Sequence, residues 1–231
     1  GERHRAGTAP LVVGSVLDGD LLRRTLKEHG VTGVVHVAAK KAVGESVERP
    51  LFYYEQNVEG LRVLLDAVVD AGVESFLFSS SAAVYGTPDV DLVSEQTACL
   101  PQSPYGETKL VGERMIASVA QATGLRYANL RYFNVAGAAA PELADTGCAN
   151  LVPMVLERIT SGQRPRIFGD DYDTPDGTCV RDYIHVSDIA SAHAAAAARL
   201  GSGDLQAVTL NIGRGEGVSV REMVELIRTT T

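Results

Sequence analysis

The chain is organised around an apolar run that ends in three serines, Phe76-Leu77-Phe78-Ser79-Ser80-Ser81, and a later segment, Ser103-Pro104-Tyr105-Gly106-Glu107-Thr108-Lys109. The apolar run is typical of a buried strand, which is predicted over residues 76–80. In the later segment Ser103 suits an N-cap and Pro104 the first helical position, and Gly124 suits the end of a helix. A helix is therefore predicted over residues 104–123, so a strand end rich in hydroxyls precedes a helix that carries a tyrosine and a lysine.

Apolar runs and helical patterns alternate along the rest of the chain. Further strands are predicted at residues 10–13, 33–38, 126–133, 166–168 and 208–212, the second of them buried on both faces. Further helices are predicted at residues 19–29, with Asp18 as the cap, and at 51–71, 151–160, 187–200 and 219–227. The alternation predicts an α/β fold with an open parallel sheet and right-handed crossovers. Ligands bind such sheets at the carboxyl ends of the strands, where Ser79 to Ser81 lie.

Tyr105 and Lys109 are four residues apart, so they share one face of the predicted helix. A free tyrosine has a pKa near 10, and acting as a base near pH 7 needs a fall of roughly 3 units. A lysine ammonium one turn away supplies part of that fall, and Ser81 can hold the reacting hydroxyl. The alternative is that Tyr105 and Lys109 are a solvent-exposed pair without a catalytic role, because this spacing occurs by chance in many helices. The serine cluster and the helix-capping Ser-Pro favour the reactive interpretation.

Composition excludes several classes of protein. The 231 residues fit one large domain, or one domain with a small appendage, and the net charge of −8 argues against a nucleic-acid binder. Cys99, Cys148 and Cys179 form no CxxC pair, which indicates reduced, structural cysteines. The histidines form no zinc-binding pair, so no metal is expected. Neither a run of about twenty apolar residues nor a secretory leader is found, so a cytoplasmic location is predicted.

Five motifs in order resemble the UDP-glucose 4-epimerases (UDP-galactose 4-epimerases), which belong to the extended short-chain dehydrogenase/reductases. The motifs are Lys41-Ala42-Val43-Gly44-Glu45-Ser46; Ser79-Ser80-Ser81 with Val84-Tyr85-Gly86; Ser103-Pro104-Tyr105-Gly106 with Lys109; Arg131-Tyr132-Phe133-Asn134; and Asp176-Gly177-Thr178 with Val180-Arg181-Asp182-Tyr183-Ile184-His185-Val186. The resemblance covers nearly the whole chain from Val12 onward.

The resemblance implies a Rossmann-like doubly wound parallel sheet with a small α/β substrate-binding lobe. It implies a partial NAD-binding domain over residues 1–134 and a partial UDP-sugar lobe over 135–231, interleaved with the last strand and helices of the first domain. The implied reaction is the NAD-dependent interconversion of UDP-glucose and UDP-galactose through a 4-keto sugar, with a tyrosine as the base. A homodimer formed through the 51–71 and 104–123 helices is also implied.

The same resemblance assigns roles to individual residues. Tyr105 matches the catalytic base, Lys109 its partner and Ser81 the hydroxyl-binding serine. The implied NAD contacts are Ser15, Val16, Val37, Ala38, Ala39, Lys41, Asn57, Ser79, Tyr105, Lys109 and Tyr132. The implied UDP-sugar contacts are Lys41, Ser81, Ala82, Tyr105, Phe133, Asn134, Asn150, Leu151, Phe168 and Arg181. The guanidinium of Arg181 suits a diphosphate, because its fork of N–H donors can bind two oxygens at once.

The chain departs from the family pattern at several points. Ser15 stands where an aspartate usually contacts the adenine, and Val135 stands where a proline is frequent. The GxxGxxG turn that brings the pyrophosphate to a helix N-terminus does not occur in the sequence. We therefore expect the first βαβ unit to precede Gly1 and the last UDP-sugar contacts to follow Thr231, which makes the chain a fragment of a longer enzyme.

Of three alternative functions, the sequence excludes the first and leaves the other two open. The related 4,6-dehydratases place Asp-Glu after the strand-end hydroxyl residue, whereas Ala82 and Ala83 follow Ser81 here and supply no acid for elimination. Epimerases of UDP-glucuronate or of N-acetylhexosamines remain possible, since the hexose pocket depends partly on residues outside this chain. A non-catalytic dinucleotide-binding protein of the same fold is the third, and the fragment alone can lack activity.

Overall fold

The computed structural model describes residues 9–145, 147 and 150–230. Its helices are α1 Gly19–Glu28, α2 Val43–Glu48, α3 Pro50–Tyr53, α4 Gly60–Asp70, α5 Pro104–Thr123, α6 Leu151–Thr160, α7 Val186–Ser202 and α8 Val220–Thr230. Its strands are β1 Gly33–His36, β2 Ser75–Ser81, β3 Arg126–Tyr132, β4 Asn134–Ala136, β5 Val180–His185, β6 Ala207–Ile212 and β7 Gly217–Ser219. A π-helical turn, Tyr54–Glu59, joins α3 to α4, and short 3₁₀ turns lie at Ala82–Tyr85 and Pro141–Leu143.

Two sheets organise the chain. The larger contains four parallel strands in the order β1-β2-β3-β6, and the smaller contains β4-β5-β7. In the larger sheet Ser81 lies opposite Tyr132 at the carboxyl ends of β2 and β3. The strand β6 comes from the carboxyl-terminal part of the chain and pairs with β3, so the two halves of the sequence share one sheet.

Helices cover both faces of the larger sheet, which is the predicted α/β arrangement. Phe76 and Phe78 pack with Leu61, Leu64 and Leu65 of α4 and with Ile116 of α5. On the opposite face Leu77 of β2 and Leu130 of β3 pack against Leu200 of α7. Full burial of a leucine or phenylalanine side chain contributes about 1.5–3 kcal/mol, so these two layers fix the sheet between the helices. The smaller sheet has its own apolar cluster, centred on Val155, Met223 and Ile227.

Most of the predicted elements are confirmed. The helix predicted over residues 104–123 has those bounds, with Ser103 as the N-cap and Gly124 in the left-handed conformation at its end. The carboxylate of Asp18 caps α1, because it accepts a hydrogen bond from the N–H of Leu21. The predicted 51–71 helix is continuous from Pro50 to Asp70, but its middle is π-helical.

Three predictions about strands are wrong. Residues 10–13 and 166–168 form no strand, and their large side chains are exposed, 66% for Val13 and 73% for Phe168. A short apolar run becomes a strand only where another strand accepts its backbone hydrogen bonds, and sequence periodicity does not report this. The strand β1 is not buried on both faces, since Val35 is 50% exposed. It is an edge strand of the sheet within the described residues.

Two further sequence expectations concern cysteines and membranes. Cys99 and Cys179 are free, half-buried thiols, whereas Cys148 lies outside the described residues. Within the described ranges, no helix has the length and apolar character needed to cross a bilayer.

The cap of α5 gives a stability prediction. Ser103→Ala removes the hydroxyl that accepts the N–H of Gly106 at 3.1 Å, and loss of such a cap costs about 1 kcal/mol. The matched control is Ser118→Ala on the same helix, where the exposed hydroxyl donates only to the carbonyl of Arg114 and alanine favours the helix by a few tenths of a kcal/mol. Urea unfolding should show a lower free energy of unfolding for Ser103→Ala alone. Equal effects of the two substitutions would contradict the assignment of the cap.

Candidate active site

The larger sheet and α5 bring Ser81, Tyr105 and Lys109 together. Tyr105 lies in the first turn of α5, and the 3₁₀ turn Ala82–Tyr85 packs directly against that turn. The approach is so close that a Cβ at Gly106 would lie 2.6 Å from the carbonyl oxygen of Ala83. As a result the hydroxyl of Ser81 lies near that of Tyr105 and acts on its pKa. The oxygen of Ser81 also accepts the N–H of Ala83 at 3.2 Å, which orients the serine side chain.

Lys109 is almost completely buried behind Tyr105. Its Nζ donates to the carbonyl oxygen of Ser79 at 2.7 Å and lies 4.9 Å from the ring centroid of Phe78. Burial lowers the pKa of Lys109 to about 8, and the negative charge of Glu113 partly opposes this effect. Of its three N–H donors, only the one to Ser79 has a hydrogen-bond acceptor among the described residues. A ligand with paired hydroxyl groups would satisfy the other two.

Within the chain, Tyr105 remains a phenol at neutral pH. Burial raises the pKa of Tyr105 above its ordinary value of 10, the nearby hydroxyl of Ser81 opposes the rise, and Tyr132 adds to it. The net effect in the protein alone is a raised pKa, and the expectation that Lys109 lowers it stays a prediction. The Nζ of Lys109 points to the Ser79 carbonyl and lies 6.0 Å from the centroid of the Tyr105 ring.

Ser79 joins a second group of polar side chains at the end of the sheet. Its Oγ lies 3.1 Å from Nε2 of His193, and Nδ1 of the same histidine lies 2.8 Å from the carbonyl oxygen of Ile189. Because a carbonyl can only accept, Nδ1 carries a proton, and in the neutral tautomer Nε2 then accepts from Ser79. Burial raises the pKa of Tyr132, and its hydrogen bond with Ser79 opposes the rise. The structure thus brings the predicted residues Ser79 and Tyr132 together, and adds His193, which the sequence analysis missed.

Asn57 holds the loop that follows β1. Its Oδ1 accepts the N–H of Lys40 at 2.8 Å, and its Nδ2 donates both to the carbonyl oxygen of Lys40 and to Oγ1 of Thr108, each at 3.0 Å. Asn57 lies in the π-helical turn, a local distortion that is frequent at functional sites. The side chain therefore links the exposed segment Val37 to Ala39 and the adjacent Lys40 to helix α5.

His36 ends β1 beside this group. Its ring stacks on Phe78 with centroids 5.9 Å apart. Burial, with a smaller contribution from the charge of Lys109, lowers the pKa of His36 to about 4. The imidazole is therefore neutral at physiological pH and adds no charge to the site.

Asn150, one of the predicted UDP-sugar residues, contacts a carboxylate. Nδ2 of Asn150 donates to Asp145 at 2.9 Å. The pKa of Asp145 is lowered mainly by the N–H of Gly147 and the amide of Asn150, and the charge of Lys41 contributes. Lys41 thus acts on the same carboxylate through its charge, although more than 100 residues separate it from Asn150.

The other predicted residues lie on surrounding elements. Asn134 and Arg181 are exposed on β4 and β5 of the smaller sheet, and Leu151 opens α6. Phe133 borders the turn after β6, because a Cβ at Gly213 would lie 2.9 Å from its ring. The exposed Phe168 lies in a loop, and Ala82 opens the turn after β2.

Ser15 and Val16 precede α1. The hydroxyl of Ser15 accepts the N–H of Leu17 at 3.2 Å. Val16 packs against α4, since a Cβ at Gly60 would lie 2.7 Å from its Cγ2. Ser15 and Val16 therefore lie beside the first turn of α1. They precede all the other predicted NAD contacts in the sequence.

Comparison with known proteins places this arrangement in context. A model described as the NAD dependent epimerase/dehydratase family matches residues 1–213. A UDP-glucose 4-epimerase of Halalkalibacterium halodurans is 43% identical over 229 residues, which cover 94% of this chain and 66% of that protein. The chain thus spans about two thirds of the length of the curated relatives it matches.

Solved structures agree in fold and in sequence. The UDP-glucose 4-epimerase from Brucella ovis in complex with NAD has a TM-score of 0.88 and 43% identity, over 93% of this chain and 67% of that one. The enzyme from Stenotrophomonas maltophila, with bound NAD and formylated UDP-arabinopyranose, has a TM-score of 0.87 and 43% identity, over 97% and 69%.

The buried lysine gives a pH-dependent prediction. Lys109 loses its proton near pH 8 in the folded protein, against 10.5 for an unperturbed lysine. Between these values the unfolded chain binds more protons, so the contribution of Lys109 to the free energy of unfolding rises with pH. The difference between the wild type and Lys109→Met should rise by about 1.4 kcal/mol per pH unit in this window and be flat below pH 8.

Urea unfolding at intervals from pH 7 to pH 9.5 measures this difference, and the Met variant removes the contributions of all other groups. A difference that stays constant with pH would show that Lys109 titrates as an exposed lysine.

Proposed function

Because the chain belongs to the NAD-dependent epimerase/dehydratase family, we propose that the protein containing it interconverts UDP-glucose and UDP-galactose with NAD as cofactor. The observation that carries the proposal is the convergence of Ser81, Tyr105 and Lys109 at the carboxyl end of β2. This is where ligands bind open parallel sheets. The names of the relatives supply the reaction and the nucleotide sugar.

The residues in the chain fit the nicotinamide half of NAD. Lys109 is a buried ammonium with two N–H donors that no acceptor among the described residues uses, which suits the hydroxyls of a ribose. Tyr105, Ser79 and Tyr132 lie around it and would hold the same half of the cofactor. Ser15 and Val16 would lie at the adenine end, and the exposed backbone of Val37 to Ala39 would pass along the cofactor. When bound, NAD supplies a reversible acceptor for the hydrogen at carbon 4 of the sugar.

The proton chemistry belongs to Tyr105. Ser81 holds the 4-hydroxyl of the hexose within reach, and Oη of Tyr105 takes the proton from that hydroxyl and later returns it. The tyrosine needs a neighbouring positive charge to act as a base near neutral pH, since burial keeps its pKa above the ordinary value. Lys109, which is protonated below its pKa of about 8, is a positive group of the chain that lies near its ring.

Inversion at carbon 4 requires that the 4-keto sugar turn over between the two proton transfers. The site must therefore bind UDP firmly and the hexose loosely. We assign UDP recognition to polar groups on the loops and on the smaller sheet, chiefly Lys41, Asn150 and the exposed guanidinium of Arg181. Phe133, Asn134, Leu151 and Phe168 complete this assignment, and Ala82 lies beside Ser81.

The rival reactions differ at defined residues. A 4,6-dehydratase needs an acid after Ser81, and the chain has Ala82 and Ala83 there. Turnover of UDP-glucuronate or a UDP-N-acetylhexosamine would use the same trio, so the substrate assay must include these sugars.

We also propose a homodimer through the 51–71 and 104–123 helices, which the family resemblance and the exposed Leu51 support. A cytoplasmic location is part of the same proposal.

Tyr105→Phe tests the reaction. The substitution removes the proton-transferring hydroxyl and keeps the ring, so turnover of UDP-galactose should fall by about 10²–10⁴-fold. The nucleotide content of the purified protein should be unchanged. The measurement is conversion of UDP-galactose to UDP-glucose by the full-length gene product, with NAD content determined on the same sample.

Tyr127→Phe, in the same strand layer but near the amino end of β3, is the matched control and should keep full activity. A fully active Tyr105→Phe enzyme would overturn the mechanism. Bound NAD without turnover of any UDP-sugar would favour a non-catalytic dinucleotide-binding protein, and preferential turnover of another UDP-sugar would replace the substrate.

A further inference from the structure

A buried ion pair lies one helical turn beyond Lys109. Glu113 and Arg131 are each only 6% exposed. The carboxylate of Glu113 accepts two hydrogen bonds from the guanidinium, 2.9 Å from Nε to Oε1 and 2.6 Å from Nη2 to Oε2. Oε1 of Glu113 also accepts a short hydrogen bond from the hydroxyl of Ser80. None of these groups has a role in the proposed proton transfer.

The pair is the centre of a polar row across the larger sheet. Ser80, Arg131 and Asn211 are in register on β2, β3 and β6. Nη1 of Arg131 donates to the hydroxyl of Tyr85 at 2.9 Å, and that hydroxyl donates to Oδ1 of Asn211 at 2.7 Å. The N–H of Asn211 is in turn bound by Glu95 at 2.8 Å. The row therefore links three strands and the turn after β2 to helix α5.

Stability alone does not account for this arrangement. Replacing a buried ion pair by apolar residues of similar volume is often neutral or stabilising, because desolvating two charges is costly. Apolar side chains can fill this layer between the sheet and α5, because Phe78 and Ile116 already do so at neighbouring positions. A polar pair instead specifies one register, because only one alignment satisfies all of its hydrogen bonds.

We propose that Glu113 is a positioning residue, whose bonds to Ser80 and Arg131 fix the register of α5 against β2 and so place Tyr105 and Lys109; the inference rests on the proposed function. The last three residues of β2 each contact one of three successive turns of α5, all on one face of that helix. Ser81 meets Tyr105, the carbonyl of Ser79 meets Lys109, and Ser80 meets Glu113. A shift of the helix along the strand breaks all three contacts together.

The charges of the cluster also act on the site. Glu113 raises the pKa of Lys109 against the effect of burial, and Arg131 balances the charge of Glu113. The other titratable groups that face this cluster and the two site residues are His36, Tyr53, Tyr85, Glu95, Cys99 and Tyr132. Removing only the negative partner therefore leaves an uncompensated positive charge next to the site.

The first test exchanges the pair for apolar residues in the full-length gene product. Glu113→Leu combined with Arg131→Met should leave the urea midpoint unchanged, whereas kcat should fall by about 10²-fold, as expected for a misplacement of about 1 Å. KM should change little, because UDP recognition is assigned to other elements. Glu74→Leu with Arg126→Met is the matched control, because that ion pair joins the residue before β2 to the first residue of β3, at the opposite end of the same two strands. Wild-type kcat in a folded Glu113→Leu/Arg131→Met variant would overturn the proposal.

The second test uses Glu113→Gln, which keeps the shape of the side chain and a partner for Ser80. Tyr105 and Glu113 are eight residues apart, or about 12 Å along a helix, so removing the negative charge of Glu113 should lower the pKa of Tyr105. Absorbance of tyrosinate at about 295 nm, taken as the difference from the same background carrying Tyr105→Phe, reports this pKa without any turnover.

The two readouts keep the outcomes separate. If the apolar double variant does not fold, kcat of Glu113→Gln decides, because the glutamine amide cannot accept both hydrogen bonds from the Arg131 guanidinium; wild-type kcat in that variant overturns the proposal. A wild type that turns over no UDP-sugar contradicts the proposed function, whereas the titration still tests the coupling of Glu113 to Tyr105. A kcat loss in the apolar variant, with the control unaffected, supports the proposal.

Discussion

The contact between one face of α5 and the last three residues of β2 is the interaction on which the rest of the site depends. The strand end supplies hydroxyls and a carbonyl, and the helix supplies a tyrosine, a lysine and a glutamate at intervals of one turn. Close approach is possible because α5 carries glycine where it meets the turn after β2. A Cβ at Gly106 would lie 2.6 Å from the Ala83 carbonyl. The apolar layers hold the sheet and helices together, and this polar seam determines where along the strand the helix lies.

Burial gives the site its chemistry as well as its shape. Taking Lys109 out of water lowers its pKa to about 8. The same burial raises the pKa of Tyr105 and keeps His36 neutral, with a pKa of about 4. In each case the charged form loses more by leaving water than the neutral form does. At neutral pH Tyr105 and His36 are therefore uncharged, whereas Lys109 keeps its proton. A cationic ligand beside Tyr105 would strongly change the proton affinity of that residue.

Local signals in the sequence predicted the helices accurately and the edge strands poorly. Ser103, Pro104 and Gly124 mark the bounds of α5, because capping depends on groups within one turn of the helix end. The predictions of a strand at residues 10–13 and of burial on both faces of β1 are wrong, since burial of a strand depends on which distant segments lie beside it. The sequence does contain a signal of the ion pair between Glu113 and Arg131. A charged residue within the apolar run of β3 needs a partner, and Glu113 continues the face that carries Tyr105 and Lys109.

The sequence by itself determined the α/β class, the order of the elements, the family resemblance and the Ser81, Tyr105 and Lys109 trio. These follow from hydrophobic periodicity, caps and short motifs, which are local properties of the chain. Only the tertiary structure decided that Lys109 is buried, with two donors that no acceptor in the described part of the chain uses. It also decided that the pKa of Tyr105 is raised above that of a free tyrosine and that His193 orders Ser79. It also joined Ser80, Glu113 and Arg131. Burial and register arise from contacts between residues far apart in sequence, so no local pattern encodes them.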